Sequence, residues 1–134
     1  MSSYCLDTSA YSNFRRGHEE LVSLIDQADW IGVSTVTMGE LRTGFLLGSR
    51  HQRNESELDE FLANPVVEVL QVDAEASRHY AEIVADLRRA GTPLPTNDIW
   101  IAATAARHGA AVLTCDEHFE RIARVGTVLF DASS

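Results

Sequence analysis

At 134 residues the chain has the length of one domain (1–134), able to bury roughly two thirds of the surface its unfolded form exposes. Its formal net charge of −9 argues against a broad, non-specific nucleic-acid binder, because phosphate affinity comes from basic surface; a nuclease is not excluded, since acids gathered around divalent cations present the metal's charge to phosphate. Two cysteines without metal-finger spacing (Cys5, Cys115), an N-terminus MSSYCLDTS lacking a basic region and a long apolar core, and no apolar window of membrane length predict a soluble, cytoplasmic protein with reduced thiols and no membrane contact.

Tyr4 to Asp7 reads as a short strand passing into a helix that begins around Tyr11 to Phe14, so Asp7 lies where strand gives way to helix. Taken alone it is an N-cap. Arg15, Arg16 and Gly17 end this helix, and Glu19 to Ala28 forms another whose apolar stripe is Leu21, Leu24, Ile25 and Ala28. Trp30 to Ser34 (WIGVS) is a second strand, after which Ser34 or Thr35 caps a helix reaching Leu47. Within it Glu40 shares a stripe with Val36, Thr43, Gly44 and Leu47, while Arg42 points elsewhere. A glutamate among small and apolar neighbours is costly to bury unless something pairs with it.

Gly48 to Glu57 is polar and charged, a turn leading into a helix that carries Leu58, Phe61 and Leu62 and ends near Ala63. Val66 to Leu70 is a third strand, and Asp73 starts a long helix with Ala76, Tyr80, Ile83 and Leu87 inward, ending before Gly91. His79 and His108 read as surface or edge histidines. Beyond the prolines of PLPTN, Asp98 to His108 has a buried stripe of Ile99, Ala102, Ala103 and Ala106; Gly109 stops it, and Ala110 to Thr114 suits a buried strand. Asp116 then opens a short helix, Glu117 to Arg124, before a last strand at Thr127 to Phe130 and a tail at Asp131 to Ser134.

Strands alternating with helices predict a three-layer α/β/α sandwich around a mostly parallel five-stranded sheet. Reactive groups in such sheets gather beyond the carboxyl ends of the strands, where strand order reverses. Asp7 and Asp116 follow strands, Asp98 begins a helix that precedes one, and Glu40 is one to two turns into a helix that follows another. All four acids can share that edge, and capping alone does not require such convergence. Crowded carboxylates must protonate, pair with arginine or hold a cation, and an oxygen-only donor set selects Mg²⁺ or Mn²⁺ over zinc. Such a site suits phosphodiester hydrolysis. Thr8, Ser9 and Thr114 are placed to orient waters or carboxylates.

All eleven basic residues are arginine. Without lysine there is no P-loop, and the phosphoaspartate proteins, whose pattern calls for a lysine at the phosphoryl group, are disfavoured. The haloacid-dehalogenase-like phosphatases want a second Asp two residues after the first, where Ser9 stands.

The segments LDTS (Leu6–Ser9), TMGELRTG (Thr37–Gly44), NDIWIAATAARHG (Asn97–Gly109) and LTCDEHF (Leu113–Phe119) together resemble the PIN domain, specifically the VapC-type toxin ribonucleases of bacterial toxin–antitoxin pairs. The resemblance covers nearly the whole length with the acids in the family's order. It implies a PIN-like fold and a Mg²⁺-dependent endoribonuclease, with Mn²⁺ able to substitute. Asp7 and Asp98 are then the main metal ligands, Glu40 binds directly or through water, and Asp116 supports a second metal, its position being the most variable in the family. The resemblance further implies a homodimer and a cognate antitoxin whose segment lies across the acidic groove. RNA contacts are expected at Arg15, Arg16, Arg42 and His118. The rival functions are a PIN-like binding module that has lost hydrolysis, against which all four acids speak, and a phosphotransfer protein.

Overall fold

Five short runs rich in valine, isoleucine and leucine become strands β1 (Ser3–Leu6), β2 (Trp30–Ser34), β3 (Val67–Leu70), β4 (Ala111–Thr114) and β5 (Thr127–Leu129). They form one sheet in the order β3-β2-β1-β4-β5, every neighbouring pair parallel. The structure, a computed structural model, describes residues 2–133; Met1 and Ser134, the outermost residues of the expected N-terminal segment and C-terminal tail, lie outside the described residues.

Between the strands run helices α1 (Thr8–Arg15), α2 (Glu19–Gln27), α3 (Thr35–Leu47), α4 (His51–Leu62), α5 (Ala74–Ala90) and α6 (Thr96–Arg107), with a 3₁₀ helix at Glu117–Arg121. Alternate strand residues face opposite sides, so Cys5 and Val112 enter one core with α5 and α6, while Leu6 and Leu113 enter another with α1 to α4. This is the three-layer sandwich. The order reverses between β1 and β4, because β1 leads to β2 on one side and β3 crosses back to β4 on the other.

Local chemistry explains the element ends. Asp7, Ser34 and Asp73 cap α1, α3 and α5 by accepting backbone N–H bonds, and Gly91 closes α5 in the left-handed region at φ 72°. At Gly32 in β2 a Cβ would lie 2.6 Å from the Trp30 ring and 2.7 Å from Leu70, so any larger residue would have to push both side chains aside. Cys5 is fully buried, and desolvation together with the charge of Asp7 pushes its thiol up to about 12, which makes it an inert interior residue.

Helix α1 begins at Thr8, directly after its Asp7 cap, a turn earlier than the start expected around Tyr11, and three further elements differ from the sequence expectation. Helix α4 already begins at His51, inside the stretch expected as a turn: Arg53 pairs with Glu57 one turn on, and Glu57 and Glu55 also take Arg15 and Arg42. Helix α6 buries Ile99 and all five residues from Ile101 to Ala105, more than one stripe, because α5 covers one side and the sheet the other. The 3₁₀ helix stops at Arg121, short of Arg124, which instead ion-pairs with Glu82 and Asp86 of α5. No helix among the described residues is long and apolar enough to cross a membrane.

Candidate active site

The carboxyl end of β1 sits in the middle of the sheet, at the reversal of strand order, and Asp7 is the next residue. It is only 6 % exposed, so its carboxylate needs partners. Oδ1 accepts from the Ala10 N–H at 2.9 Å and from the Ser9 hydroxyl at 2.7 Å, and Oδ2 accepts from the Thr114 hydroxyl at 2.5 Å. Both hydroxyls work in two directions. Thr114 Oγ1 also accepts the Asp116 N–H at 2.9 Å, and Ser9 Oγ accepts the Cys115 N–H at 3.2 Å. Two hydroxyl bridges therefore lock the start of α1 onto the segment that leaves β4. Burial raises the Asp7 carboxyl above the ordinary carboxylate range, the bonds from Thr114, Ser9 and Ala10 pull it back, and the charge of Asp116 adds to the rise.

Glu40 reaches the same edge from α3. The helix is seated by a buried relay: Ser34 accepts the Thr37 N–H at 3.1 Å, and the Thr37 hydroxyl donates to the Leu6 carbonyl of β1 at 3.2 Å. Neither carboxylate oxygen of Glu40 is left to choose its own place. Oε1 accepts from the Thr8 hydroxyl at 2.7 Å and Oε2 from the Asn97 amide at 3.3 Å. Thr8, Ser9 and Thr114 thus each touch an acid of the set. Asn97 and Thr37 escape sequence reasoning, because each acts on a residue more than thirty positions away and neither is an unusual residue at a helix start.

Asp98 stands in the first turn of α6, where the helix dipole favours an anion, yet its carboxyl is pushed up to about 6. Desolvation is the largest cause, followed by the charges of Asp116, Glu40 and Asp7, with His118 opposing. The charges of all three other acids thus act on Asp98. Asp116 caps the 3₁₀ helix by accepting the His118 N–H at 2.9 Å, and the His118 ring lies 3.2 Å from the same oxygen. Of the expected RNA contacts, only His118 touches an acid of the set. Arg15 and Arg16 lie at the far end of α1, Arg15 bound to Glu57, and Arg42 pairs with Glu55 and Asp59 of α4.

Among the described residues no three His, Cys, Asp or Glu side chains are drawn close enough to enclose a metal ion directly. The donor set nevertheless suits a hard, hydrated cation. It is all oxygen, its charges raise the Asp98 carboxyl, and Mg²⁺ keeps several waters while taking only one or two carboxylates. Asp7 and Asp98 would hold such an ion, with Glu40 and Asp116 acting directly or through its waters.

A chain with this sheet order and four acids at its reversal point matches the family model described as the PIN domain over residues 4–125. The chain belongs to the PIN domain family. Within the family it is similar to Ribonuclease VapC4 of Mycobacterium tuberculosis, 42 % identical over 91 residues that span 68 % of this chain and 69 % of that protein. It is also similar to Ribonuclease VapC5 of the same organism, 32 % identical over 85 % of this chain and 83 % of the relative. Among solved structures it resembles a chain of DNA-bound VapBC from Salmonella typhimurium, with a TM-score of 0.85 and 28 % identity over 96 % of this chain and 98 % of that one. The family match runs from the second residue of β1 through the 3₁₀ helix and ends before the last strand.

Proposed function

We propose that this PIN domain is a Mg²⁺-dependent endoribonuclease that hydrolyses RNA phosphodiesters, and that it is the toxin of a type II toxin–antitoxin pair. The observation that carries the reading is the electrostatic meeting of Asp7, Glu40 and Asp116 on Asp98. Similarity to proteins named VapC ribonucleases supplies the substrate class, and similarity to a VapBC assembly supports a cognate antitoxin as partner. The homodimer and the cytoplasmic location rest on the sequence resemblance and composition.

When bound, the ion supplies charge neutralisation at the phosphodiester and acidifies an attacking water. The chain's own residues set the stage. Asp7, frozen by Thr114, Ser9 and the Ala10 amide, gives a ligand that need not reorganise, and Thr8 with Asn97 fixes both oxygens of Glu40 at the same edge. Asp98 is the adjustable member. At neutral pH it lies about one unit above its titration and is mostly ionised, so a cation meets a charged ligand whose repulsion it relieves.

The test is incubation of the purified chain with structured RNA and Mg²⁺ or Mn²⁺, with EDTA and with Asp7→Asn and Asp98→Asn. Cleavage is expected only with metal and parent protein, and a loss of about 10³-fold or more is expected in each variant. Cleavage by either variant at the rate of the parent contradicts the reading.

A further inference from the structure

Helices α1 and α3 leave the acidic edge together, tied there by the Thr8–Glu40 bond, and one turn further along they open on a cleft that no acid of the site enters. Its volume is about 390 Å³, the scale of a pocket for a nucleotide-sized group. The lining includes Ser12 of α1, Phe45 of α3 and four arginines: Arg15 and Arg16 at the end of α1, and Arg50 and Arg53 at the start of α4. Glu57 is the one acid among the lining residues, so four guanidinium groups share a single carboxylate in a chain whose net charge is −9. Like charges are not gathered on an acidic protein without cost unless an anion relieves them.

The four arginines are not equivalent. Arg15 donates two bonds to Glu57 at 3.1 and 2.7 Å and lies 6.0 Å from the Tyr11 ring centroid, and Arg53 takes the other Glu57 oxygen at 3.0 Å. Glu57 thus holds two guanidinium groups in place. Arg16 and Arg50 make no ion pair with a carboxylate among the described residues, and Asn54 adds a neutral amide donor.

Distance decides what such a cleft is for. Along α1 the helical rise from Thr8 is about 6 Å to Ser12 and about 12 Å to Arg16, and along α3 it is about 7–8 Å from Glu40 to Phe45, one to two phosphate spacings of an extended strand. A strand with one phosphodiester among the acids carries its neighbouring phosphates into the arginines. We propose that this cleft is a backbone-phosphate subsite for the RNA strand, engaging the phosphates next to the one that is cut. The inference rests on the ribonuclease reading and deepens it, by naming where the flanking strand lies.

The experiment is fluorescence anisotropy of a short labelled oligouridylate with the full chain in EDTA, so that nothing is cleaved, repeated across sodium chloride concentrations. Arg16→Gln/Arg50→Gln is expected to weaken binding on the order of tenfold, and to flatten the slope of log K against log salt by about 1.4, about 0.7 for each phosphate of a single strand that is no longer neutralised. Glu57→Gln is expected to move the other way and bind more tightly, which a misfolded variant does not do. A slope unchanged in the double variant overturns the subsite, even when cleavage still depends on Asp98. Cleavage that ignores Asp98 beside a flattened slope sinks the proposed reaction and leaves the phosphate subsite supported. Oligoglutamate competing as well as RNA assigns the cleft to an acidic peptide and overturns the inference.

Discussion

The two ends of α1 carry opposite charge and are built in opposite ways. At its N-terminus Asp7 is buried and held by hydroxyls from Ser9 and Thr114, the latter 107 residues away in sequence. At its C-terminus Arg15 and Arg16 are surface groups, and Arg15 is steadied by Glu57 of a neighbouring helix. Both signs complement the helix dipole, but their energetic weight differs. Buried hydrogen-bonded charge is part of the fold, whereas exposed ion pairs are screened by salt and contribute little. Disturbing the acidic end should therefore cost stability and chemistry together, while disturbing the basic end should change salt-dependent binding and leave the fold alone.

Thr114→Val presses hardest on that contrast. It keeps the shape but strips a donor from buried Asp7 and an acceptor from the Asp116 amide, and a loss of about 2–3 kcal/mol is expected in urea unfolding at pH 7. Arg50→Gln should hardly move the same curve. If the two variants unfold alike, the distinction between the helix ends fails.

A smaller effect is expected one layer out. Asn97→Ala removes the donor on Glu40 Oε2 while Thr8 keeps Oε1, so the carboxylate stays but loses its aim. RNA cleavage should fall by about tenfold and the Mn²⁺ concentration for half-maximal cleavage should rise, with little change in melting temperature. Asn97→Asp, which adds a fifth acid, should not rescue it. An unaltered metal dependence in Asn97→Ala removes Asn97 from the site.

The mildest test uses pH. Because the folded-state carboxyl of Asp98 is raised from its ordinary 3.8 to about 6, its contribution to stability is full below about pH 4 and is lost as pH rises through 6. In EDTA, Asp98→Asn should match the parent near pH 4 and melt a few °C higher by pH 7, a difference reduced by solvent because the group is partly exposed. A constant offset across that range shows that Asp98 does not titrate in this way.

Most of the architecture is readable in the sequence because apolar periodicity and Gly or Pro punctuation mark it. β2 and the range of α3 match their expected limits, and the positions of the four acids relative to the strands already put them on one edge. What escapes is structure held by polar side chains across long sequence distances. Helix α4 looks like a turn from Gly48 onward because its first residues carry ion pairs instead of an apolar stripe. Asn97 looks like punctuation before α6, and only folding brings it to Glu40, 57 residues away. Spacing likewise puts the acids on one edge, but does not show that among the described residues no three of them gather closely enough to enclose an ion directly.

The claim on which everything else depends is that the mutual repulsion of these carboxylates is relieved by a divalent cation. Thermal unfolding with and without Mn²⁺, on the parent and on Asp98→Asn, measures it without reference to RNA. The parent's melting temperature should rise with Mn²⁺ concentration, and the variant, already slightly more stable without metal, should rise far less. Equal shifts in the two proteins, or no shift in the parent, would contradict it.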